Sequence, residues 1–265
     1  MYKLKASMNK YWGKAFLSLV SMLVFAGLID AEAQGPIAQR TGTSAGITTE
    51  LLNKENVLRK EFEQKGLVWP AKEIYIRSFK YDSELEVWAR NSDAEPFKLF
   101  KTYKVCVMAG TIGPKRVEGD YQVPEGVYYI SQFNPRSEYH LSLKLNYPNE
   151  SDKILSDKTR PGGGIYIHGN CISVGCIPLQ NDQIDEVYLL ATAARVSGQD
   201  LIPVHVFPIR FDNENSLSYY TKYTFNDVDL QHFTANIKPI YDYFEAHHEI
   251  PLIGVDMQGD YNILN

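Results

Sequence analysis

Ile167-His168-Gly169-Asn170-Cys171-Ile172-Ser173-Val174-Gly175-Cys176 lies between a β-type run, Gly164-Ile165-Tyr166-Ile167, and a strong helical pattern that begins near Asn181. A strand delivers the histidine, a glycine-flanked loop carries the cysteine, and a helix follows. A thiol attacks as thiolate, and a neighbouring imidazole is the usual group that generates one. Glycines beside both residues let the backbone approach a substrate closely and turn amide N–H groups towards it. The stretch reads as a Cys/His active-site loop, with Cys176 as nucleophile and His168 as general base.

The helix after the loop is amphipathic. Ile184, Val187, Tyr188, Ala191 and Ala194 share a face, Asn181 or Asp182 is placed to cap it, and Gly198 to end it. A helix start just after Cys176 offers its dipole to a thiolate, and His168 offers an ion-pair partner, so a lowered thiol pKa is expected. The N–H groups of Gly175 and Cys176 are natural oxyanion donors. Ser173 is expected to orient the loop or meet a substrate carbonyl, and Gly169 to permit close approach. No acid lies in the motif, so a backbone carbonyl is expected to fix the tautomer of His168.

Upstream, the hydrophobic period is that of strands. Ile74 to Phe79 and Leu85 to Ala89 alternate around Tyr81-Asp82-Ser83, and further runs lie in Phe97–Ala109, Gly126–Ile130, His140–Leu145, Ile165–Ile167 and Ile202–Phe207. Glycine and proline punctuate them. With 18 Tyr and 12 Phe, the composition suits a β-rich chain. The fold class is mainly β with α (α+β), a mixed sandwich-like domain with one central helix after the Cys loop. Residues 73–208 form this domain. Residues 34–72 are a polar, disordered stretch followed by a helix from Thr48 to Gly66. Residues 209–265 form a small α/β appendage: a Tyr-rich loop, a helix around 228–248 containing Pro239, and a strand near Ile250–Asp256. This appendage is expected to partly roof the site.

The N-terminus reads as a signal peptide over residues 1–33. Lys3, Lys5, Lys10 and Lys14 precede an apolar run from Ala15 to Ile29, and Ala31-Glu32-Ala33 supplies small residues at the cleavage spacing. The apolar run is short for a bilayer span, which needs about 20 residues. An exported protein with no membrane span in its mature form is expected, in the periplasm or cell envelope. The net charge of −5 and the lack of a basic patch disfavour nucleic acid as a partner.

Export permits disulfides. Of Cys106, Cys171 and Cys176, an odd one remains, which suits a nucleophile. A disulfide between Cys106 and Cys171 would tie the loop to a neighbouring strand. Cys171 also reads as a packing residue. A rival reading is zinc, with His168-x2-Cys171-x4-Cys176 completed by Cys106 or His140. The missing paired C-x-x-C knuckle weighs against it, and no metal or cofactor is expected. His205 lies on a core-like strand and reads as packed. His247-His248 reads as an exposed helix end.

Val123-Pro124-Glu125-Gly126-Val127-Tyr128, then Ile167-His168-Gly169, then Ser173-Val174-Gly175-Cys176 resemble the L,D-transpeptidase catalytic domain, also called YkuD-like. The YafK-like branch is most similar. Gly113-Pro114-Lys115, Glu118-Gly119-Asp120, Asn134-Pro135-x-Ser137, Tyr139-His140-Leu141-Ser142 and Tyr147-Pro148-Asn149 match it in order. The resemblance puts the family nucleophile on Cys176 and the family base on His168. It departs from the broad family in a shorter His–Cys spacer, in Val174 where most members have His, and in Pro178-Leu179 after the cysteine. It implies acyl transfer on peptidoglycan stem peptides, with water as an alternative acceptor in some members of the branch. Arg136, Tyr139, His140 and Arg160 flank the motif and are candidates for binding stem-peptide carboxylates. The other reading is a non-catalytic wall-binding module stapled by zinc or a disulfide.

Overall fold

A computed structural model describes residues 49–264. The expected signal peptide and the polar stretch after it lie outside the described residues. Eight strands form one sheet: β1 (Glu73–Phe79), β2 (Glu84–Arg90), β3 (Lys98–Lys104), β4 (Gly126–Ser137), β5 (His140–Leu145), β6 (Tyr166–His168), β7 (Ile177–Pro178) and β8 (Pro203–Phe207). Their order is β3-β2-β1-β8-β4-β5-β6-β7, and only β1–β8 and β6–β7 pair in parallel. The helices are α1 (Thr49–Gln64), α2 (Glu150–Leu155), α3 (Asn181–Val196), α4 (Glu214–Thr224) and α5 (Val228–His247). A separate hairpin, β9 (Leu252–Val255) with β10 (Tyr261–Leu264), closes the described chain. The class is α+β, as the strand runs imply. Among the described residues no helix is long and apolar enough to cross a membrane.

The central strands are buried on both faces, and their alternation shows what covers each side. Ile74, Ile76, Leu85, Val87, Val204 and Val206 join the core under α1 and α3. The intervening Phe79 and Phe207 join a second core with Leu230, Ile237, Ile240 and Tyr241 of α5. The C-terminal elements therefore pack on the reverse face of the sheet.

That packing corrects two expectations. The Tyr-rich stretch is not a loop. Asn213 caps it, accepting from the N–H groups of Asn215 and Ser216, and α4 follows. Nor do the C-terminal elements roof the Cys loop, where Ile172 and Val174 remain 70% and 69% exposed. Pro239 is accommodated inside α5. His205 is packed as expected: it is buried, its Nδ1 lies 2.6 Å from the Tyr75 hydroxyl, and burial drives its pKa down to about 3.

Candidate active site

β6 and β7 set the geometry. Ile167 pairs with Ile177 and His168 with Pro178 in parallel register. Continuing that register puts Cys176 opposite Tyr166. Ile167 and Ile177 point into the core, both at 0% exposure. The alternate residues, Tyr166, His168 and Cys176, therefore share the other face. Cys176, one residue before β7, is by that extension the diagonal neighbour of His168. Among the described residues no hydrogen bond joins the two side chains: the Cys176 thiol reaches the Gly164 carbonyl and the His168 imidazole the Gly169 carbonyl.

His168 is buried, and its Nδ1 lies 2.5 Å from the Gly169 carbonyl. Donation from Nδ1–H to that carbonyl leaves Nε2 as the basic nitrogen. Burial lowers the pKa of the imidazole, and the Gly169 carbonyl partly offsets this. The Tyr139 ring packs against it, with centroids 4.9 Å apart.

Cys176 is the free cysteine among the described residues. Its thiol donates to the Gly164 carbonyl at 3.6 Å. Burial pushes the thiol pKa up, while the Tyr166 backbone N–H and the Lys115 ammonium pull it down. The expected depression of the thiol is thus reversed, because desolvation penalises the thiolate more than those partners favour it. The helix start gives little help: α3 begins at Asn181, beyond two residues of β7 and the N-cap Gln180. Thiol up and imidazole down both favour the neutral pair at rest.

The loop amides are not free. Ser173 Oγ accepts from Gly175 N–H at 3.1 Å and Cys176 N–H at 2.7 Å, and donates to the Cys176 carbonyl at 2.8 Å. In this state the expected oxyanion donors are held by Ser173. Gly175 has φ +145°, and a Cβ there would lie 3.1 Å from the Gln122 carbonyl oxygen. This position requires glycine.

Cys171 is bonded to Cys106, linking the loop to the chain leaving β3. That bond removes both sulfurs from the zinc set considered above. Asn181 does not cap its helix. Its side-chain oxygen accepts from the Asn170 N–H at 2.9 Å, while Gln183 accepts from Gln180 N–H at the helix start.

The four flanking candidates separate. Tyr139 and His140 meet the site at the tip of the β4–β5 hairpin. His140 is turned to α3, its Nε2 2.6 Å from Asp185 Oδ1. Arg136 and Arg160 are exposed, and only their backbone groups make hydrogen bonds among the described residues.

Lys115 was not singled out as a charge near the thiol. Its ammonium is buried, donating to Asp120 at 2.5 Å and to the Val117 carbonyl at 2.9 Å. Gly162 leaves room for it, since a Cβ there would come 2.8 Å from Lys115 Cε. The glycine run Gly162-Gly163-Gly164 was the available sign of close approach.

Comparison with known proteins gives the family. The profile of the L,D-transpeptidase catalytic domain, YkuD, matches residues 83–206. Over 198 residues the chain is 32% identical to "Putative L,D-transpeptidase YafK" of Escherichia coli (strain K12), covering 74% of this chain and 75% of that protein. Among solved structures, the helical cell shape determining protein Pgp2 from Campylobacter jejuni is 20% identical, with a TM-score of 0.42 over 69% of this chain and 73% of that one. Bd1075 of Bdellovibrio bacteriovorus is 21% identical, with a TM-score of 0.39 over 66% and 62%. The identity and coverage shared with YafK, together with the profile match, make this chain a member of the L,D-transpeptidase family, whose members modify peptidoglycan.

Proposed function

We propose that the protein is an exported cysteine acyltransferase acting on peptidoglycan stem peptides, with the acyl group carried on Cys176 and His168 as general base. The observation that carries the reading is the β6–β7 register, which pairs His168 with Pro178 and sets Cys176 one residue before the paired segment, so that its extension supports a shared face for thiol and imidazole. Support comes also from Gly169, whose carbonyl holds Nδ1 and leaves Nε2 for proton transfer. As Sγ attacks the stem-peptide carbonyl, Nε2 takes the thiol proton. The tetrahedral intermediate then collapses, the C–N bond breaks, and the imidazolium returns the proton to the leaving amine. A thioester remains. An incoming amine gives its proton to Nε2, forms the new amide, and releases the thiol.

Water in place of the amine gives the hydrolytic variant. The exposure of Ile172 and Val174 favours it as a second reading, since these loop side chains are left largely open to solvent. Export is supported by the basic residues ahead of the apolar run Ala15–Ile29.

The test is incubation with purified tetrapeptide fragments, with and without an added amine. Intact-mass analysis should find one acyl adduct on Cys176, and product analysis should find cross-linked peptide together with free tripeptide. Cys176→Ala should abolish both. Turnover in that variant removes the assignment. Tripeptide alone at every amine concentration makes the protein a hydrolase.

A further inference from the structure

The tip of the β4–β5 hairpin touches the proposed base but belongs to no step of the reaction. Tyr139 and His140 sit where β4 turns into β5, and His140 has φ +71°, an uncommon conformation for a residue with a Cβ. Gly169, next to His168, is the surface on which the tip rests. A Cβ on Gly169 would lie 2.9 Å from His140 Cβ, 2.9 Å from the Tyr139 carbonyl oxygen and 2.7 Å from Asn181 Oδ1. This fit positions the Tyr139 ring beside the His168 ring.

A hairpin tip tends to be mobile, and this one is tied down from outside. His140 Nε2 is 2.6 Å from Asp185 Oδ1 on α3. Asp185 Oδ2 accepts from Lys54 of α1 at 3.1 Å, and Lys54 also donates to the Asp182 carbonyl at 2.9 Å. An exposed ion pair alone does little. Here the Asp185 side chain is only 8% exposed, and three elements converge on it. A buried carboxylate that accepts from two side chains, one of them the Lys54 ammonium, holds its partners in fixed geometry better than a surface pair does.

We infer that His140 and Asp185 are positioning residues, a clamp that locks the β4–β5 tip so that Tyr139 fixes and shelters the His168 imidazole. The clamp explains why His140 is turned to Asp185 of α3. It acts through Tyr139 and Gly169, not on substrate. It also gives the hairpin-tip sequence Tyr139-His140 a role distinct from binding a carboxylate. With the tip released, water reaches His168 and the ring gains freedom to turn. The titratable groups around this imidazole are Tyr166 on β6, Cys176 before β7 and Tyr139 at the tip. Behind them stand His140, Asp185 and Asp182 of α3, and Lys54 of α1.

The inference rests on the reading of Cys176 and His168 as the reacting pair, and the experiment separates the two. His140→Ala, Asp185→Asn, Asp185→Glu and Gly169→Ala are compared with wild type for kcat, KM and the NMR titration of His168. His140→Ala and Asp185→Asn should lower kcat on the order of 10–100-fold, with KM within about twofold. The His168 titration should move up towards ordinary imidazole values. Asp185→Glu should recover most of both. Gly169→Ala should push the tip away and mimic His140→Ala with the clamp residues intact. Unchanged kcat and an unchanged His168 titration in Asp185→Asn and Gly169→Ala overturn the clamp, even if His140→Ala fails to fold. Turnover in Cys176→Ala overturns the catalytic reading instead, and the His168 titration still reports on the clamp.

Discussion

Cys176 donates its amide N–H to the Ser173 hydroxyl at 2.7 Å, so the hydroxyl occupies a donor that the proposed acyl transfer would otherwise use. Ser173 also accepts from Gly175 and donates to the Cys176 carbonyl. It thereby shapes the turn that presents the thiol. Ser173→Ala should loosen this turn more than it frees the amides, because each hydrogen bond lost is worth about 1 kcal/mol net. A fall in kcat of roughly tenfold is expected, with Ser173→Thr retaining most of the rate. A rate increase in Ser173→Ala would mean that the hydroxyl only obstructs the oxyanion site.

The neutral resting pair makes a pH prediction. Burial lowers His168, so the base stays unprotonated below the ordinary imidazole range of about 6.5. Burial also raises Cys176, so free thiolate accumulates only above the ordinary thiol range. Turnover should persist below the ordinary imidazole range and fall as pH drops through the lowered His168 pKa. Alkylation of Cys176 by iodoacetamide should instead keep rising beyond the usual thiol range. A thiol already fully reactive near pH 6 would show a preformed ion pair and contradict the described environment.

The Cys106–Cys171 bond closes a loop spanning a sequence separation of 65 residues. A cross-link over a loop of this size stabilises by about 2–4 kcal/mol, mainly by restricting the unfolded chain. Cys106→Ala/Cys171→Ala should lower the denaturant-derived stability by about that amount while Cys176 stays available for acylation. Peptide mapping under non-reducing conditions checks the pairing itself.

His205 should make the fold acid-sensitive. Its folded pKa, about 3, lies below the ordinary 6.5, so the unfolded state binds the extra proton between those values. The stabilising contribution is complete above pH 6.5 and is lost on acidification, on the order of 1.4 kcal/mol per pH unit until pH approaches 3. Asp152 acts in the opposite sense, since burial raises its pKa from 3.8 to about 6 and it favours the folded state when protonated. The comparison to make is therefore the pH dependence of stability in His205→Gln against wild type. The slope between pH 6.5 and 3 should lose the histidine's contribution.

Periodicity revealed the elements whose sides differ in polarity. β5 runs from His140 to Leu145, as its alternation indicates, and the face Ile184, Val187 and Ala191 is buried in α3. Gly66 and Gly198 adopt positive φ just after α1 and α3, as their positions suggest. Short or proline-containing pieces carried too little pattern. β7 is only Ile177–Pro178, and α2 is announced by the cap residue Asn149 more than by any apolar stripe. In α4, serine, threonine and tyrosine obscure a helix that tertiary packing stabilises.

The residue types of the proposed site stand out for a similar reason: a histidine, a cysteine and glycines are close in sequence. Their electrostatics do not. The thiol is raised by surroundings drawn from distant segments, and His140 finds its carboxylate 45 residues away on α3. No local spacing encodes such a partner.

The order of the sheet has a further consequence, for the time course of folding. β8, residues 203–207, lies between β1 and β4, so a strand made late joins two groups made early. Until it arrives, β1–β2–β3 and β4–β5–β6–β7 have no strand between them, and the pairing that unites them is strongly non-local. All three cysteines precede this step in chain order. An oxidant acting on a growing chain therefore meets Cys106, Cys171 and Cys176 before the sheet is complete. Capture of Cys176 by either partner is an error that a Cys106–Cys171 bond formed first would prevent.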